Sequence, residues 1–594
     1  MVSKSSRYWV LITASLFALT QSPMIWANQQ PPNIVLLLAD DLGFSDLASY
    51  GSEIHTPSIS ALAEQGVSFT NYHTGANCAP SRAMLLTGVD SHRTGVPNIP
   101  EMIPPEQSQY SHYSGTLAHN VVTVATLLQD AGYHTYMAGK WHLGQTPDQL
   151  PSVRGFERTL ALGDSGADNW EQKPYLPIYK KANWYADGKE YQLPEDFYSS
   201  RFLVDKTIEF IDSNQGDGQP FFAYVPFQAV HMPVQAPQEF IDRYMGVYDQ
   251  GWTALREERL ARAIELGIVP ADSAMVTMAS TADWDVLTPK QQAYEAKRMA
   301  VYGAMVEAMD HHIGRLVKHL KAIGQYDNTV FIFSSDNGAE AMGQPVQNSW
   351  LNRRSLASQG YSADYETLGL KGSFNAINPG FSSAAVSPLA YYKFYLGEGG
   401  MRVPMIIAGA GIEIKDQLSN AFSYVTDITP TILALTGVEP APARYGGRSV
   451  EPIIGRSLMP LVQGSAEAVY GDEDAVGHEL MGHGALFMGD YKLVFNRDIE
   501  GDSQWRLFNI VADPGETMDL SAHNPAQLQL MLGHYQQYIA ENNILPMPPG
   551  FSFQAQVIYN GLQNVFRDNI LIAILLFLLI LPFVLVYRSK QKPK

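Results

Sequence analysis

Short, largely apolar runs alternate with longer amphipathic stretches through most of the chain. The runs at 34–39, 221–226, 329–333 and 403–408 lack polar alternation. Such runs suit strands buried on both faces of a largely parallel sheet. Between them, 57–65, 122–131 and 292–323 carry helical spacing, the last stopping at Gly324, a residue suited to ending a helix. The alternation predicts an α/β fold with a mainly parallel central sheet flanked by helices. From about residue 465 the pattern changes. Residues 484–488 and 491–494 flank Gly489-Asp490 and read as a hairpin. A further strand at 505–509 and a helix at 525–541 follow. These predict a main body over 31–464 and a smaller C-terminal α+β subdomain over 465–543. The next stretch, 544–569, opens rich in Pro, Met and Phe and reads as a linker.

Both ends depart from the globular pattern. Lys4 and Arg7 precede an apolar run at 9–19, too short to span a bilayer comfortably. It reads as a signal peptide over 1–27, and an uncleaved anchor fits the same residues. Residues 570–587 form an uncharged, almost wholly apolar run, followed by a tail, 588–594, holding Arg588, Lys590, Lys592 and Lys594. This predicts a transmembrane helix with a basic cytoplasmic tail. The protein is then exported and membrane-anchored, its main body on the periplasmic or extracellular side. A sorting signal removed later carries the same pattern.

Composition narrows the function. Apolar residues make up 46% and charged residues 17% of the chain, which is globular rather than disordered. A net charge of −19 excludes nucleic acid as the main partner, because phosphate backbones need basic stripes. A small anion held by local cations stays compatible. The one cysteine, Cys78, allows no internal disulfide, which is unusual in an exported chain.

In open α/β sheets, sites form beyond the carboxyl ends of strands. Asp40-Asp41 follows one predicted strand, and Asp336-Asn337 closely follows another. Three carboxylates and an amide oxygen suit a hard divalent cation, Ca²⁺ or Mg²⁺, better than zinc. In Cys78-Ala79-Pro80-Ser81-Arg82, Pro80 suits the first turn of a helix, whose N-terminus favours an anion. Arg82, in that turn, is placed to pair with a metal-bound nucleophile or with substrate oxygens. If Lys140-Trp141-His142 is extended, Lys140 and His142 share a face and both reach one anion. His311-His312 would face apart on a helix and read as structural.

The order Cys78-x-Pro80-Ser81-Arg82-x-x-x-Leu86-Thr87-Gly88 resembles the signature of the type I sulfatases, in the alkaline phosphatase superfamily. Ala138-Gly139-Lys140-Trp141-His142-Leu143-Gly144 resembles that family's second signature. Ala229-Val230-His231-Met232-Pro233 resembles the block holding a second active-site histidine. Lys393 precedes Glu398-Gly399-Gly400-Met401-Arg402-Val403-Pro404, where the family places its last lysine. Leu507-Phe508-Asn509 and Asp513-Pro514-Gly515-Glu516 resemble its C-terminal subdomain. The resemblance spans 33 to about 544 and is strongest to bacterial arylsulfatases.

It implies a sulfuric ester hydrolase of arylsulfatase type, releasing inorganic sulfate from an organic sulfate ester. Cys78 would be oxidised to formylglycine by a maturation enzyme, and its hydrate would be the nucleophile. Ca²⁺ would be held by Asp40, Asp41, Asp336, Asn337 and residue 78. Lys140, His231 and Lys393 would stabilise the sulfate oxygens, with His231 or Lys393 protonating the leaving alcohol. His142 would take the proton from the remaining diol hydroxyl, expelling sulfate and restoring the aldehyde. A phosphoester or phosphonate-ester hydrolase of the same superfamily is the first alternative. A non-catalytic binder of sulfated glycans is the second. The segments 244–287 and 341–392 are expected to shape specificity.

Overall fold

The computed structural model describes residues 30–343, 350–497, 501–568 and residue 574. Ten strands form its central sheet. In chain order they are β1 Asn33–Ala39, β2 Gly66–Phe69, β3 His134–Lys140, β4 Arg158–Leu162, β5 Trp184–Ala186, β6 Lys189–Glu190, β7 Phe221–Pro226, β8 Thr329–Ser335, β9 Met405–Gly409 and β10 Gln417–Ser419. Their spatial order is β10-β2-β9-β8-β1-β7-β3-β4-β5-β6. Strands β8, β1, β7, β3 and β4 run parallel at the centre. Strand β9 runs antiparallel to both β8 and β2, so the sheet is mixed. A continuous apolar run marks β9 as buried but does not encode its direction.

Burial on both faces explains the apolar runs. Every residue of β1 is buried. Val35, Leu37 and Ala39 enter one core, while Ile34, Leu36 and Leu38 enter the other. The helix Pro289–Ala322 packs into the first core, and the helices Cys78–Thr87 and Ile428–Thr436 into the second. The long helix starts three residues before its expected first residue, 292. Pro289 fills its first turn, and Thr288 and Gln291 cap it reciprocally, so these polar residues form a helix terminus. On it, His312 is buried and His311 exposed.

The C-terminal strands β11 Ala475–Leu480, β12 His483–Met488, β13 Tyr491–Phe495 and β14 Trp505–Asn509 form a separate antiparallel sheet. Leu486, Leu493 and Leu507 on one face meet Met531 and Tyr535 of the helix Pro525–Glu541. Ala485, Phe487, Val494 and Phe508 on the other face join the second core. Buried charges tie this sheet to the helix Glu398–Met401, which leads into β9. Lys492 on β13 lies 2.9 Å from Glu398 and 3.0 Å from Glu516.

Two expectations change here. Within 544–569, expected to be a linker, Phe553–Asp568 forms a helix. Its buried Phe553 packs against Phe394, ring centroids 5.3 Å apart. The Pro-rich start of the segment masks the spacing of Phe553 and Val557, which puts them on one helix side. The membrane-anchored placement is also corrected: among the described residues, no helix is long and apolar enough to cross a membrane. On Phe553–Asp568, Phe553 packs against the protein, while Ile558, Tyr559 and Leu562 are exposed. The segments 1–27, 570–587 and 588–594 that prompted the expectation lie outside the described residues, apart from residue 574.

Candidate active site

Strands β1 and β8 are parallel neighbours, with Ala39 opposite Ser335. The next residues, Asp40-Asp41 and Asp336-Asn337, therefore emerge side by side. Asp41 holds a φ of 64°, a left-handed conformation that Asp tolerates better than most residues. The helix Cys78–Thr87 starts opposite them, its Cys78 N–H donating to the side chain of Asn77 at 2.9 Å. Cys78 Sγ lies 3.8 Å from Asp41 Oδ1. Donor atoms of Asp40, Asp41, Cys78 and Asp336 all fall within 4.8 Å of one another.

This donor set fits a hard cation. Asn337 Nδ2 donates to Asp41 Oδ1 at 2.7 Å and to Gly338 O at 2.9 Å. Its Oδ1 is buried without a hydrogen-bond partner among the described residues. A buried amide oxygen left over beside three carboxylates is suited to oxygen-loving Ca²⁺ or Mg²⁺.

Cations surround the carboxylates. Lys140 Nζ donates to both oxygens of Asp40, at 2.8 and 2.7 Å. Arg82 donates through Nε to Asp336 Oδ2 at 2.8 Å and through Nη1 to Lys140 O at 2.8 Å. Its Nη2 lies 2.7 Å from Asp336 Oδ2. Arg82 and Lys140 thus hold the acids, with the Arg82 donors on Asp336 and Lys140 O. Lys393 Nζ lies 2.8 Å from Asp41 Oδ1, 2.9 Å from its Oδ2 and 3.2 Å from Glu340. His231 Nδ1 donates to Met232 O at 2.6 Å, leaving Nε2 3.8 Å from Asp41 Oδ2.

His142 departs from the expected shared face with Lys140. Its φ is 56°, so the alternation of an extended chain ends there. Lys140 turns to Asp40, while His142 opens on a cavity of about 260 Å³ shared with Cys78, His231 and Lys393. His142 Nε2 lies 4.0 Å from Glu101 Oε2, too far for a hydrogen bond. Neither ring nitrogen has a partner among the described residues.

Burial and charge set the protonation states. Burial pushes the Cys78 thiol well up despite Lys140 and Lys393, so an unmodified Cys78 is uncharged and weakly nucleophilic. Burial also raises Asp40; Lys140 opposes this, and Asp336 and Asp41 reinforce it. At Asp41 burial acts the same way, but Lys393, His231 and Lys140 hold the carboxyl below its usual range. Burial pushes His142 down to about 4 and His231 well below its ordinary value. Burial works against charge on Lys393, yet Asp41 and its other anionic neighbours keep it firmly protonated.

Glu340 and Glu101 were not singled out from the sequence. Glu340 follows Asn337 in the same strand-end loop by three residues, and that proximity was a usable signal. Glu101 sits in a Pro-flanked turn, Pro100–Met102, and nothing in its local sequence marks it.

A family model described as Sulfatase matches residues 32–438, more than half of the chain. The chain belongs to the sulfatase family. This sulfatase is 36% identical over 540 residues to an uncharacterized sulfatase of Schizosaccharomyces pombe, covering 88% of this chain and 96% of that protein. It is 35% identical over 441 residues to the arylsulfatase of Klebsiella aerogenes, covering 73% and 93% respectively. Its fold matches the crystal structure of Ps i-CgsB with a TM-score of 0.62 at 24% identity, over 90% of this chain and 98% of that one. The sulfatase is accordingly a sulfuric ester hydrolase.

Proposed function

We propose that this cavity hydrolyses aryl-type sulfate esters, with residue 78 converted from Cys to formylglycine. Ca²⁺, or Mg²⁺ in its place, would be held by Asp40, Asp41, Asp336, Asn337 and residue 78. One observation carries the reading: Cys78 sits within the acidic donor set and also opens on the cavity shared with His142, His231 and Lys393. The arylsulfatase relative supports the same chemistry.

Formylglycine would supply a hydrated aldehyde, giving one hydroxyl to attack sulfur and a second whose deprotonation lets sulfate leave. The bound cation would lower the nucleophile's pKa and offset its repulsion from the sulfate anion. The remaining work falls to side chains of this protein. Protonated Lys393 faces the cavity, binds the sulfate oxygens and hands a proton to the leaving alcohol. His231, fixed by its bond to Met232, stands beside Lys393; protonated on substrate binding, it shares the donor role. Neutral His142 accepts the proton released as sulfate departs. Lys140 and Arg82 hold Asp40 and Asp336 and balance their charge. The main body at 31–464 supplies these groups, with 465–543 packed against it as a supporting subdomain. A formylglycine-generating enzyme is the partner this chemistry requires.

The test couples sulfate release to the state of residue 78. Ion chromatography should detect inorganic sulfate released from nitrophenyl sulfate. Mass spectrometry of the same sample should find aldehyde rather than thiol at position 78. Full turnover by protein retaining the thiol would overturn the reading.

A further inference from the structure

Most of the charge lies on the floor of the catalytic cavity, and the surrounding walls are largely apolar, with Glu101, Ser165, Tyr175 and Gln554 as their polar groups. Ile99, Met102 and Leu176 line one part, and Phe553, Val557 and Ile558 another. The second group comes from the helix Phe553–Asp568, far along the chain from the catalytic residues. That helix is seated on the site. Asn560 Nδ2 donates to the main-chain oxygen of Glu101 at 3.0 Å, on the turn whose carboxylate faces His142. Phe553 packs on Phe394, next in sequence to Lys393. Phe553 is 9% exposed, whereas Ile558 is 63% exposed at the mouth.

We propose that the helix Phe553–Asp568 is a specificity element of this enzyme. It closes an apolar sleeve around the leaving group and selects sulfate esters of flat, hydrophobic alcohols over those of small or polar ones. The proposal rests on the catalytic reading above, because it places the leaving group between that floor and this helix. A cavity of about 260 Å³ suits a compact ring system; small-ligand pockets typically start near ~300 Å³. A hydroxylated sugar would lose water on entry and find few partners along these walls. A fused aromatic ring would gain by leaving water for these walls.

The test uses the full chain and two substrates, 2-naphthyl sulfate and methyl sulfate. For Phe553→Ala and Val557→Asp, the ratio of kcat/KM on naphthyl to methyl sulfate should fall about tenfold from the parent value. Val557→Ile should retain the parent ratio. A merely structural role would scale both substrates together, and an unchanged ratio would overturn the proposal. Failure of the catalytic reading has a different signature: the parent releases no sulfate from either ester. In that event, calorimetric binding of 2-naphthalenesulfonate decides the helix's role. Affinity about tenfold weaker in both variants supports it, and equal affinity overturns it.

Discussion

The floor and the wall of the cavity are built on opposite principles. Asp40, Asp41 and Asp336 lie at the ends of paired parallel strands, each buried and each held by Lys140, Lys393 or Arg82. The wall is assembled from a turn, a loop and a helix drawn from distant parts of the chain, and makes few directional bonds. A floor of buried charge fails when one partner is lost, because the remaining charge is stranded. An apolar wall loses affinity by increments of surface. Reaction type should therefore be brittle here and substrate preference adjustable.

The sharpest way to break this contrast is at residue 78. Cys78→Ser should fold and bind metal but stall after one sulfuryl transfer, lowering steady-state turnover by roughly a thousandfold or more. Rapid-quench kinetics should show a single burst of released alcohol. Sustained turnover would remove the need for a nucleophile with a second hydroxyl.

Next comes Asp336→Ala, which leaves Arg82 buried with its main partner gone. It should destabilise the protein by about 3–5 kcal/mol in denaturant titration and also lower metal affinity. A loss in metal affinity alone would mean that the floor tolerates an unpaired guanidinium. His142→Ala, by contrast, removes a neutral base without stranding a charge. It should lower kcat about a hundredfold with little change in melting temperature. The pH–kcat profile should lose its acid limb.

The smallest expected effect extends the contrast between paired and unpaired charge beyond the site. Burial pushes His478 down to about 4 and His483 to about 3. For these two the unfolded chain binds more protons below pH 6.5. Their contribution is complete above that pH and is lost as pH falls through 4 towards 3. His92 is equally buried, but hydrogen bonds to Asp90 and Glu479 outweigh burial and push it up to about 9. Its contribution is complete below pH 6.5 and lost as pH rises through 9. The melting temperature should fall by about 5 °C from pH 7 to pH 4, and by less from pH 7 to pH 9. His92→Gln should flatten the alkaline side alone, as calorimetry at stepped pH would show.

The floor was more legible in the sequence than the wall, for a physical reason. Strands such as β1 are apolar because both faces are covered, so the charged residues at their ends stand out. Asp40, Asp41, Asp336 and Asn337 were readable in this way, as was Cys78 at a helix start marked by Pro80. The segments carrying the hairpin and the helix Pro525–Glu541 were equally clear. Legibility failed where a property depends on long-range contact. The antiparallel direction of β9 is set by its neighbours. His142 leaves the face of Lys140 through one backbone angle that no residue pattern announces. Arg82 was expected in the first turn, but the helix starts at Cys78, which puts Arg82 in the second turn, its donors on Asp336 and Lys140 O. Glu101 reaches His142 through tertiary packing alone. The helix Phe553–Asp568 follows a Pro-rich stretch that resembles a spacer, and its role emerges only from what it touches.

The burial of Cys78 also bears on when the proposed conversion of residue 78 could take place. Its side chain is 2% exposed, beneath a cavity large enough for a small ester and far too small for a protein catalyst. If residue 78 is converted as proposed, a maturation enzyme would have to meet this cysteine while the segment is still extended, before the strand ends leading into Asp41 and Asp336 close over it. On that reading, folding would act as a one-way seal. Chains that closed early would then keep an inert thiol. The specific activity of a preparation would record the outcome of a race between modification and folding, and slowing the fold would raise it.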